Sequence, residues 1–429
     1  MTEPNPVTKP ADERLRVAVL VDLPRSAQSG GHVKCWERLA HAAVDSDLPI
    51  NLCVYFSGNA PDEILSPTVR LRHLPPVFST ARLKFLPYVP DHTDLASWHP
   101  ALARELRAFD VIHTTDGFFA FSQTATKIAQ RAGVPMVTSF HTDTPSYTRI
   151  FTRQTIEKLT AKMPWLRHLL LDTLDVPERQ GRAMEKRLRQ HVKTCRYALV
   201  TREEDRLLAA EQIGTARVPH LRLGIDKKMF GLHRCDRAGI LRDYNIPADR
   251  CVFLFVGRVD VGKNIYTLTS ALEQIIAAGV PAHLIVAGVG PAREEVQRRL
   301  GDHVTSPGFV APDELARLYA SVDALALCSE VEIRSMAGVE AMASGCPVLV
   351  SRNSGIAQLF DHTTAMQVVD SGVDCWRDVV RSFIEDKQHQ QVMRDAAAEY
   401  GRTKLAEWRQ VLAEDLFAIW QKSFVEKEA

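Results

Sequence analysis

Short apolar runs alternate with longer amphipathic stretches along most of the chain. Continuous runs rich in Val, Ile and Leu are typical of strands that are buried on both faces of a parallel sheet. In the first half, strands are predicted at 17–21, 50–56, 69–74, 110–115, 134–140 and 197–201. In the second half, strands are predicted at 252–257, 283–288, 324–329 and 347–351. Helical patterns between them, such as Asn264–Ala278 and Asp313–Ser321, indicate α/β folds with right-handed crossovers.

The alternation breaks between residues 216 and 250, where prolines and glycines interrupt it. We therefore predict two doubly wound, Rossmann-like domains joined near Gly224. In the stretch LAEWRQVLAEDLFAIWQKSF, apolar residues recur at helical spacing, which predicts a C-terminal helix that packs back on the first domain. The predicted segments are a disordered tail at 1–14, domains at 15–222 and 223–404, and the helix at 405–429.

Composition narrows the class of protein. The chain has 429 residues, 45% hydrophobic and 24% charged, with a net charge of +1, so charge gives no reason to expect a nucleic-acid partner. Its eight cysteines form no C-x-x-C pair, which suits a reducing compartment. The polar N-terminus is unlike a signal peptide, and no apolar run approaches the ~18 residues of a membrane span. We expect a cytoplasmic protein, and any contact with a membrane would be peripheral.

The segment 155–196 differs from the rest of the chain in charge. It carries ten Lys and Arg against five Asp and Glu, on helical patterns. A basic amphipathic stretch can bind an anionic membrane surface, such as the inner face of the cell membrane. The alternative is a solvated helical face over an ordinary core contact.

The stretch GRVDVGKN follows a predicted strand and runs from Gly257 to Asn264. It nearly matches the P-loop, but Asn264 stands where a Ser or Thr would ligate magnesium, so a nucleoside-triphosphatase is one alternative. Arg258 and Lys263 lie at the carboxyl end of a parallel strand, where open α/β sheets bind their ligands. Two cations at that point suit a diphosphate.

A second glycine-rich turn, VAGVGPAR, places Gly288 and Gly290 after the next strand. Arg293 occupies the third glycine position of a dinucleotide fingerprint, so a dinucleotide site is not predicted. A close approach of a ligand to the backbone would explain the two glycines.

The first half offers weaker candidates. Gly30 and Gly31 lie between a strand and a helix, where a phosphate could approach the backbone, although a plain loop explains them equally well. His141 ends the strand at 134–140 and could touch a substrate.

The stretch SEVEIRSMAGVEAMASG carries two glutamates eight positions apart. Ser335 is a suitable N-cap for a helix at Met336–Ser344, which Gly345 would end. The unpaired amides of its first turn attract phosphate. Glu332 precedes the helix and Glu340 lies in its second turn, and their carboxylates suit the hydroxyls of a sugar or ribose.

The chain contains one D-x-D sequence, Asp45-Ser46-Asp47, a pattern that binds a metal ion in one fold of nucleotide-sugar transferases. It lies in a polar helix-to-strand connection, and we interpret it as a loop. No metal site is predicted.

Taken together and in this order, these stretches resemble the retaining glycosyltransferases of the GT-B fold, family 4, over residues ~15–425. GRVDVGKN is similar to the family's GR…K loop, VAGVGP to its GxGP turn and GFVAPDELARLYASVD to its nucleotide-base segment. SEVEIRSMAGVEAMASGCPVLVS is similar to its E-x7-E motif, the most specific of the four.

The resemblance implies roles residue by residue. It implies catalytic roles for His141, Arg258, Lys263 and Glu332. It implies donor contacts for Gly30, Gly31, Arg258, Lys263, Gly288, Gly290, Val310, Glu332, Ser335, Met336 and Glu340. Among them, Arg258 and Lys263 would hold the diphosphate, Glu340 the ribose, Glu332 and His141 the sugar, and Val310 the base through its backbone.

The implied function is transfer of a hexose, with retention, from a UDP or GDP sugar to a lipid-linked or glycan acceptor, in glycolipid or polysaccharide synthesis. The second domain would bind the donor and the first the acceptor, across a cleft. No cofactor and no metal would be needed. A P-loop-like hydrolase and a non-catalytic GT-B-like binding subunit remain alternatives, and an epimerase shares the fold.

Two departures bring the chain closer to one branch of the family. Ile333, Arg334 and Ser335 replace the usual Phe-Gly, and the run 223–226, LGID, replaces the usual Asn-Gly before the linker aspartate. Both are nearer to the sulfoquinovosyl- and glucosyl-diacylglycerol synthases and related mannosyltransferases. Arg334 could read an acidic donor sugar, or could pair with a neighbouring glutamate.

Overall fold

The computed structural model describes residues 14–26, 29–80, 93–331, 333, 335–359 and 363–428. The chain divides into two compact units. The first comprises Met1–Arg222 and Trp408–Ala429, and the second comprises Leu223–Glu407. All of the predicted tail except Arg14 lies outside the described residues.

In the part of the first unit that is described, seven strands form one sheet in the order β3-β4-β2-β1-β5-β6-β7. The strands are β1 Leu15–Pro24, β2 Ile50–Ser57, β3 Glu63–Ser66, β4 Val69–Leu74, β5 Val111–Thr114, β6 Met136–Ser139 and β7 Tyr197–Leu199. Neighbouring strands are parallel except at β3, which pairs antiparallel with β4 at the edge. The chain order reverses beside β1, as expected for a doubly wound sheet.

Helices connect these strands and end the chain. They are α1 Gly31–Val44, α2 Pro100–Glu105, α3 Ala120–Ala132, α4 Thr144–Leu159, α5 Pro164–His168, α6 Val176–Val192 and α7 Glu203–Ile213. The C-terminal segment consists of α16 Trp408–Gln410, a π-helical stretch Val411–Phe417 and α17 Ala418–Glu428. It packs on the first unit, where Trp420 is fully buried and donates a hydrogen bond to His113.

The second unit has a parallel six-stranded sheet in the order β11-β10-β9-β12-β13-β14. The strands are β9 Cys251–Val256, β10 Ala282–Ala287, β11 Val304–Gly308, β12 Ala324–Leu327, β13 Val348–Ser351 and β14 Met366–Val369. Two further short strands, β8 Gly224–Ile225 and β15 Ala406–Glu407, form a separate parallel pair. The helices are α8 Arg237–Asp243, α9 Ile265–Ala277, α10 Arg293–Leu300, α11 Pro312–Ser321, α12 Met336–Ala343, α13 Gly355–Leu359, α14 Val373–Glu385 and α15 Lys387–Thr403.

The predicted α/β class and the doubly wound sheets are confirmed, and all ten predicted strands are present. The pattern missed β3, β11 and β14, which are edge strands of their sheets. Edge strands are short and partly exposed, so they lack the continuous apolar run that marks a buried strand.

Each sheet has its own core. In the second unit, β-strand residues such as Phe253 and Val286 pack with Leu268 of α9 and Trp376 of α14. In the first, Leu20 and Ile112 pack with Phe121 of α3. No helix within the described ranges is both long and apolar enough to cross a bilayer.

Candidate functional site

The loop after β9 carries the first candidate residues. Asp260 shapes it: its carboxylate Oδ1 accepts a hydrogen bond from the amide of Lys263 at 3.1 Å, which caps a 3-10 turn at Val261–Lys263. Its other oxygen, Oδ2, lies 3.2 Å from the Arg258 guanidinium. The Arg258 side chain is 56% exposed, whereas Lys263 is half-buried. The loop therefore presents one solvated and one sheltered cation.

This loop differs from a P-loop in more than one residue. The amides of Lys263 and Asn264 bond to Asp260 and Val261 within the turn, so they are not aimed at a phosphate. Asn264 has a left-handed backbone (φ 54°), and its side-chain oxygen accepts from Thr267 Oγ1 at 2.7 Å. Asn264 thus organises the start of α9 and does not stand in for a magnesium ligand.

The two glycines after β10 face a neighbouring backbone. A Cβ on Gly288 would lie 1.8 Å from the carbonyl oxygen of Gly257, and one on Gly290 would lie 2.3 Å from that of Val259. Hydrogen bonds from Gly257 to Ala287 and from Val259 to Val289 hold the two loops together. The close contact between the two loops therefore explains why glycines are needed here. The sequence had suggested the approach of a ligand as the reason.

The end of β12 is tied to the same loop. The Cys328 thiol reaches the carbonyl oxygen of Lys263 at 3.3 Å, and the Ser329 hydroxyl donates to that of Gly262 at 3.4 Å. Ser335 then caps α12, because its hydroxyl accepts from the amide of Gly338 at 3.4 Å. The structure thus brings the lysine loop beside the chain that leads into α12, and the predicted N-cap is confirmed.

Glu340 is buried in α12, with 5% of its surface exposed. The Tyr319 hydroxyl of α11 donates to its Oε2 at 3.3 Å. A buried carboxylate needs such partners to offset the loss of hydration. The bond fixes the carboxylate's orientation, and Tyr319 is a residue that the motifs did not indicate.

Two other predicted residues occupy this edge of the sheet. Met336 is the first residue of α12 and is buried, and Val310 is half-buried between β11 and α11. Glu332 and Arg334 lie outside the described residues.

In the first unit, His141 follows β6 and is buried. Its ring stacks on that of His32, with centroids 4.4 Å apart and planes 3° apart. His32 lies in the first turn of α1, directly after Gly30 and Gly31, so the structure brings all three first-half candidates to one place. A Cβ on Gly30 would meet nothing within 4 Å, and its backbone is extended (φ −68°, ψ 174°), so local packing does not require a glycine there.

Polar groups that the sequence did not single out surround His141. His113 of β5 lies 2.7 Å from Ser139 Oγ, which lies 2.8 Å from His141 Nε2. Burial lowers the pKa of His113 to about 3, so this imidazole is neutral. A single histidine within an apolar strand carries no periodic signal, and only the parallel register of β5 and β6 could have indicated this pairing.

Two carboxyl groups lie near the ends of β1 and β5: Asp22 is buried, and Asp116 is partly buried. Asp22 accepts from the amide of Phe121 at 2.9 Å, while its other oxygen has no hydrogen-bond partner among the described residues. Burial, with the nearby Asp116 as a second cause, raises the pKa of Asp22 well above its usual value. Burial also raises the pKa of Asp116. No sequence motif indicated either residue.

The D-x-D sequence lies in the connection between α1 and β2, as predicted. Because α1 returns from the carboxyl end of β1, this connection lies at the amino edge of the sheet. Asp45 is exposed and lies 3.5 Å from the Arg409 guanidinium. Asp45 thus lies at the amino ends of the strands, whereas His141 lies at their carboxyl ends.

The basic segment forms a helical hairpin. Helices α4 and α6 pack together, and Arg149 of α4 bonds to Glu178 and Glu185 of α6 at 2.7 and 2.6 Å. At the connection between them, Trp165 is 68% exposed. Other exposed apolar side chains there are Leu159, Met163 and Leu169.

Comparisons with known proteins agree with these features. Residues 236–400 match the family model described as glycosyl transferases group 1. The sulfoquinovosyl transferase SQD2 of Arabidopsis thaliana is 26% identical over 321 residues, covering 72% of this chain and 56% of that protein. A GDP-mannose-dependent α-(1-6)-phosphatidylinositol dimannoside mannosyltransferase of Mycobacterium tuberculosis is 30% identical over 151 residues, covering 35% of this chain and 39% of that protein.

The chain thus spans between about two fifths and just over half of the length of these curated relatives. Among solved structures, a sucrose-phosphate synthase from Thermosynechococcus elongatus has a TM-score of 0.71 and 18% identity, covering 96% of this chain and 100% of that one. That likeness shows the fold. Residues 236–400 are therefore similar to the glycosyl transferases group 1 family, and the chain has the GT-B fold.

Proposed function

We propose that this chain is a retaining glycosyltransferase that moves a sugar from a nucleotide donor to a lipid-linked or glycan acceptor. One observation carries the proposal: the Lys263 loop is tied to the end of β12, and the same chain continues into the capped helix that buries Glu340. A cation, a helix start and a carboxylate thus follow one another at the carboxyl edge of the second sheet. Such an edge is where nucleotides bind in doubly wound folds.

The charged groups fit the parts of a nucleotide sugar. Arg258 can exchange its contact with Asp260 for a diphosphate oxygen, because its guanidinium is solvated. Lys263 and the first turn of α12 add fixed positive charge for the same group. Glu340, oriented by Tyr319, accepts hydrogen bonds from ribose hydroxyls. We assign Glu332 to the transferred sugar, by the family resemblance alone.

The chemistry follows from these contacts. The bond between the anomeric carbon and the diphosphate oxygen breaks, and the acceptor oxygen attacks from the same face. The leaving phosphate oxygen takes the acceptor's proton, so no separate base is required. Arg258, Lys263 and the helix start stabilise the leaving diphosphate, and fixed charges of this kind act without a metal ion.

The acceptor and donor are proposed from the named relatives. One transfers sulfoquinovose, and the other uses GDP-mannose with a phosphatidylinositol dimannoside. We therefore propose a UDP- or GDP-linked hexose and a lipid-linked or glycan acceptor. Arg334 would favour a sulfonated sugar over a neutral one, and Arg334→Ala should remove that preference.

A donor panel tests the proposal. Thermal unfolding should be measured with UDP-glucose, GDP-mannose, a UDP-linked sulfonated hexose and ATP. A true donor at 100 times its dissociation constant should stabilise the chain by about 2.7 kcal/mol. Release of nucleoside diphosphate that depends on acceptor supports a transferase. ATP hydrolysis without sugar would support a P-loop hydrolase, and binding without turnover would support a binding subunit.

We further propose that the hairpin at 155–196 contacts an anionic lipid surface. The supporting observation is the exposed apolar cluster Leu159, Met163, Trp165 and Leu169 within the basic segment. Amphipathic surfaces of this kind insert apolar groups between headgroups while the cations attract anionic lipid.

Vesicle sedimentation tests this contact. Binding should require anionic lipid and should fall at high salt. Trp165→Ser should weaken it roughly 10-fold, since burying one large apolar side chain contributes ~1.5 kcal/mol. Ile64→Ser is the matched control, because Ile64 is also exposed (71%) but lies on edge strand β3. Equal sedimentation with neutral and anionic vesicles would contradict the proposal.

A further inference from the structure

A buried chain of hydrogen bonds joins the C-terminal helix to His141. The indole Nε1 of Trp420 lies 2.8 Å from His113 Nδ1. His113 Nε2 lies 2.7 Å from Ser139 Oγ, and Ser139 Oγ lies 2.8 Å from His141 Nε2. All four residues are buried, and Trp420, His113 and Ser139 are fully so. Three hydrogen bonds thus connect residues that are far apart in the sequence.

The direction of each bond follows from what each group can donate. An indole N–H can only donate, so Nδ1 of His113 accepts. The His113 ring is neutral, so its single proton lies on Nε2 and is donated to Ser139. The Ser139 hydroxyl must then donate onward, and His141 Nε2 is its acceptor. The remaining nitrogen of His141, Nδ1, therefore carries the proton.

We propose that Trp420 is a positioning residue that sets the tautomer of His141. In that tautomer the ring offers no basic nitrogen, because Nε2 is engaged by Ser139 and Nδ1 is protonated. His141 therefore acts as a hydrogen-bond donor and not as a general base. The role of His141 in transfer rests on the proposed function, in which His141 contacts the sugar. The assignment of the tautomer is independent of that function.

Ring contacts hold the chain of bonds in place. Trp36 meets the His113 ring edge-on, with centroids 5.0 Å apart, and His32 stacks on His141. Neither ring contact donates or accepts a proton, so neither contact favours one tautomer over the other. The Trp420 indole is the one donor-only group among the four members of the relay, and it determines the direction of the whole chain.

The test is histidine ¹⁵N NMR on the full chain, which distinguishes protonated from unprotonated ring nitrogens. In the wild type, His113 should carry its proton on Nε2 and His141 on Nδ1. Trp420→Phe keeps an aromatic ring but removes the N–H, so both histidines should shift to mixed tautomers. Trp408→Phe is the matched control: Trp408 is buried in the same C-terminal segment, and its indole N–H has no hydrogen-bond partner among the described residues.

Two results would overturn the proposal: a proton on Nε2 of His141 in the wild type, or unchanged tautomers in Trp420→Phe. If that variant does not fold, Ser139→Ala removes the hydroxyl that bonds to both histidines and leaves the Trp420–His113 bond in place. It should alter the tautomer of His141 while His113 keeps its proton on Nε2, and an unaltered His141 would overturn the proposal.

Turnover provides a second readout. Trp420→Phe and Ser139→Ala should each lower kcat about 5-fold, the effect of one net hydrogen bond, and the double variant should lose no more than either alone. Full additivity would contradict a shared chain. If the tautomers are as stated but no sugar transfer is found, the proposed function fails and the relay stands.

Discussion

In the second unit, the strand ends carry formal charge, with Arg258 and Lys263 after β9 and Glu340 on α12. In the first unit, the corresponding edge carries the neutral imidazole of His113, hydrogen-bonded through Ser139 to His141. Both sheets are doubly wound, so the fold alone does not decide this difference. Fixed charges suit an anionic diphosphate, whereas neutral donors suit sugar hydroxyls.

Loss of the cations in the second unit should have the largest effect on turnover. Removing one group that stabilises a leaving group typically costs about 10²–10³ in turnover. We expect Arg258→Ala and Lys263→Ala each to lower kcat by that factor while the chain remains folded. Steady-state kinetics with a confirmed donor measures this. Arg298→Ala is the control, because Arg298 is an exposed cation of α10 paired with Glu295.

Wild-type turnover in both cation variants would show that the charges at this edge do not serve the reaction. The assignment of the diphosphate site to the second unit would then have to be abandoned.

The carboxylates should give the next largest effect. Glu340→Ala should mainly raise the donor KM, and Glu332→Ala should mainly lower kcat. A hydrogen bond to a charged group contributes roughly 1.5–3 kcal/mol, or about 10- to 150-fold. Tyr319→Phe should raise the donor KM less, because it removes one hydrogen bond to Glu340 and leaves the carboxylate in place. Unchanged kinetics in both glutamate variants would exclude the proposed donor contacts.

Glycines of the two units should differ in how far their substitution changes the free energy of unfolding. Gly288→Ala would push a Cβ into the Gly257 carbonyl, and overpacking of this kind costs about 1–3 kcal/mol. Gly30→Ala meets open space and should change unfolding by less than about 0.5 kcal/mol. Calorimetry of both variants measures the difference. If Gly30→Ala leaves the chain stable but raises the donor KM, a glycine is needed at this position because the ligand approaches the backbone, and not because of packing.

The stability of the first unit should fall at acidic pH because His191 is buried as a neutral imidazole. Burial lowers the pKa of His191 to about 4, whereas an unfolded histidine titrates near ~6.5. Between those values the unfolded chain binds the proton and the folded chain does not, so stability falls as the pH falls. From pH 7 to pH 5 the loss from His191 is about 2 kcal/mol.

The matched variant is His191→Gln, which keeps a polar side chain beside Thr114 and Thr126. It should lessen the loss of stability in urea unfolding between those two pH values. Asp22 acts in the opposite sense, because its raised pKa favours proton uptake by the folded state. The measurement is therefore the difference between variant and wild type in how the free energy of unfolding changes from pH 7 to pH 5. Equal slopes would show that His191 is not held neutral.

The sequence predicted the central strands of both sheets, because strands covered on both faces need continuous apolar runs. It missed edge strands β3, β11 and β14, which lack that requirement. In the second unit it indicated Arg258, Lys263 and Glu340 as candidates, because the motifs that carry them lie within short stretches. In the first unit it missed His113 and Trp420, which are 307 residues apart and meet only in the folded chain.

The predicted independence from metal ions depends on protein charges that take the place of a cation at the leaving group. The measurement is acceptor-dependent release of nucleoside diphosphate from the confirmed donor, with and without excess EDTA, with Arg258→Ala as the low-activity reference. We predict that EDTA leaves the rate unchanged and that added magnesium alters it little. Loss of transfer in EDTA, with recovery on adding magnesium or manganese, would contradict the account and make Asp45 and Asp47 the first residues to test.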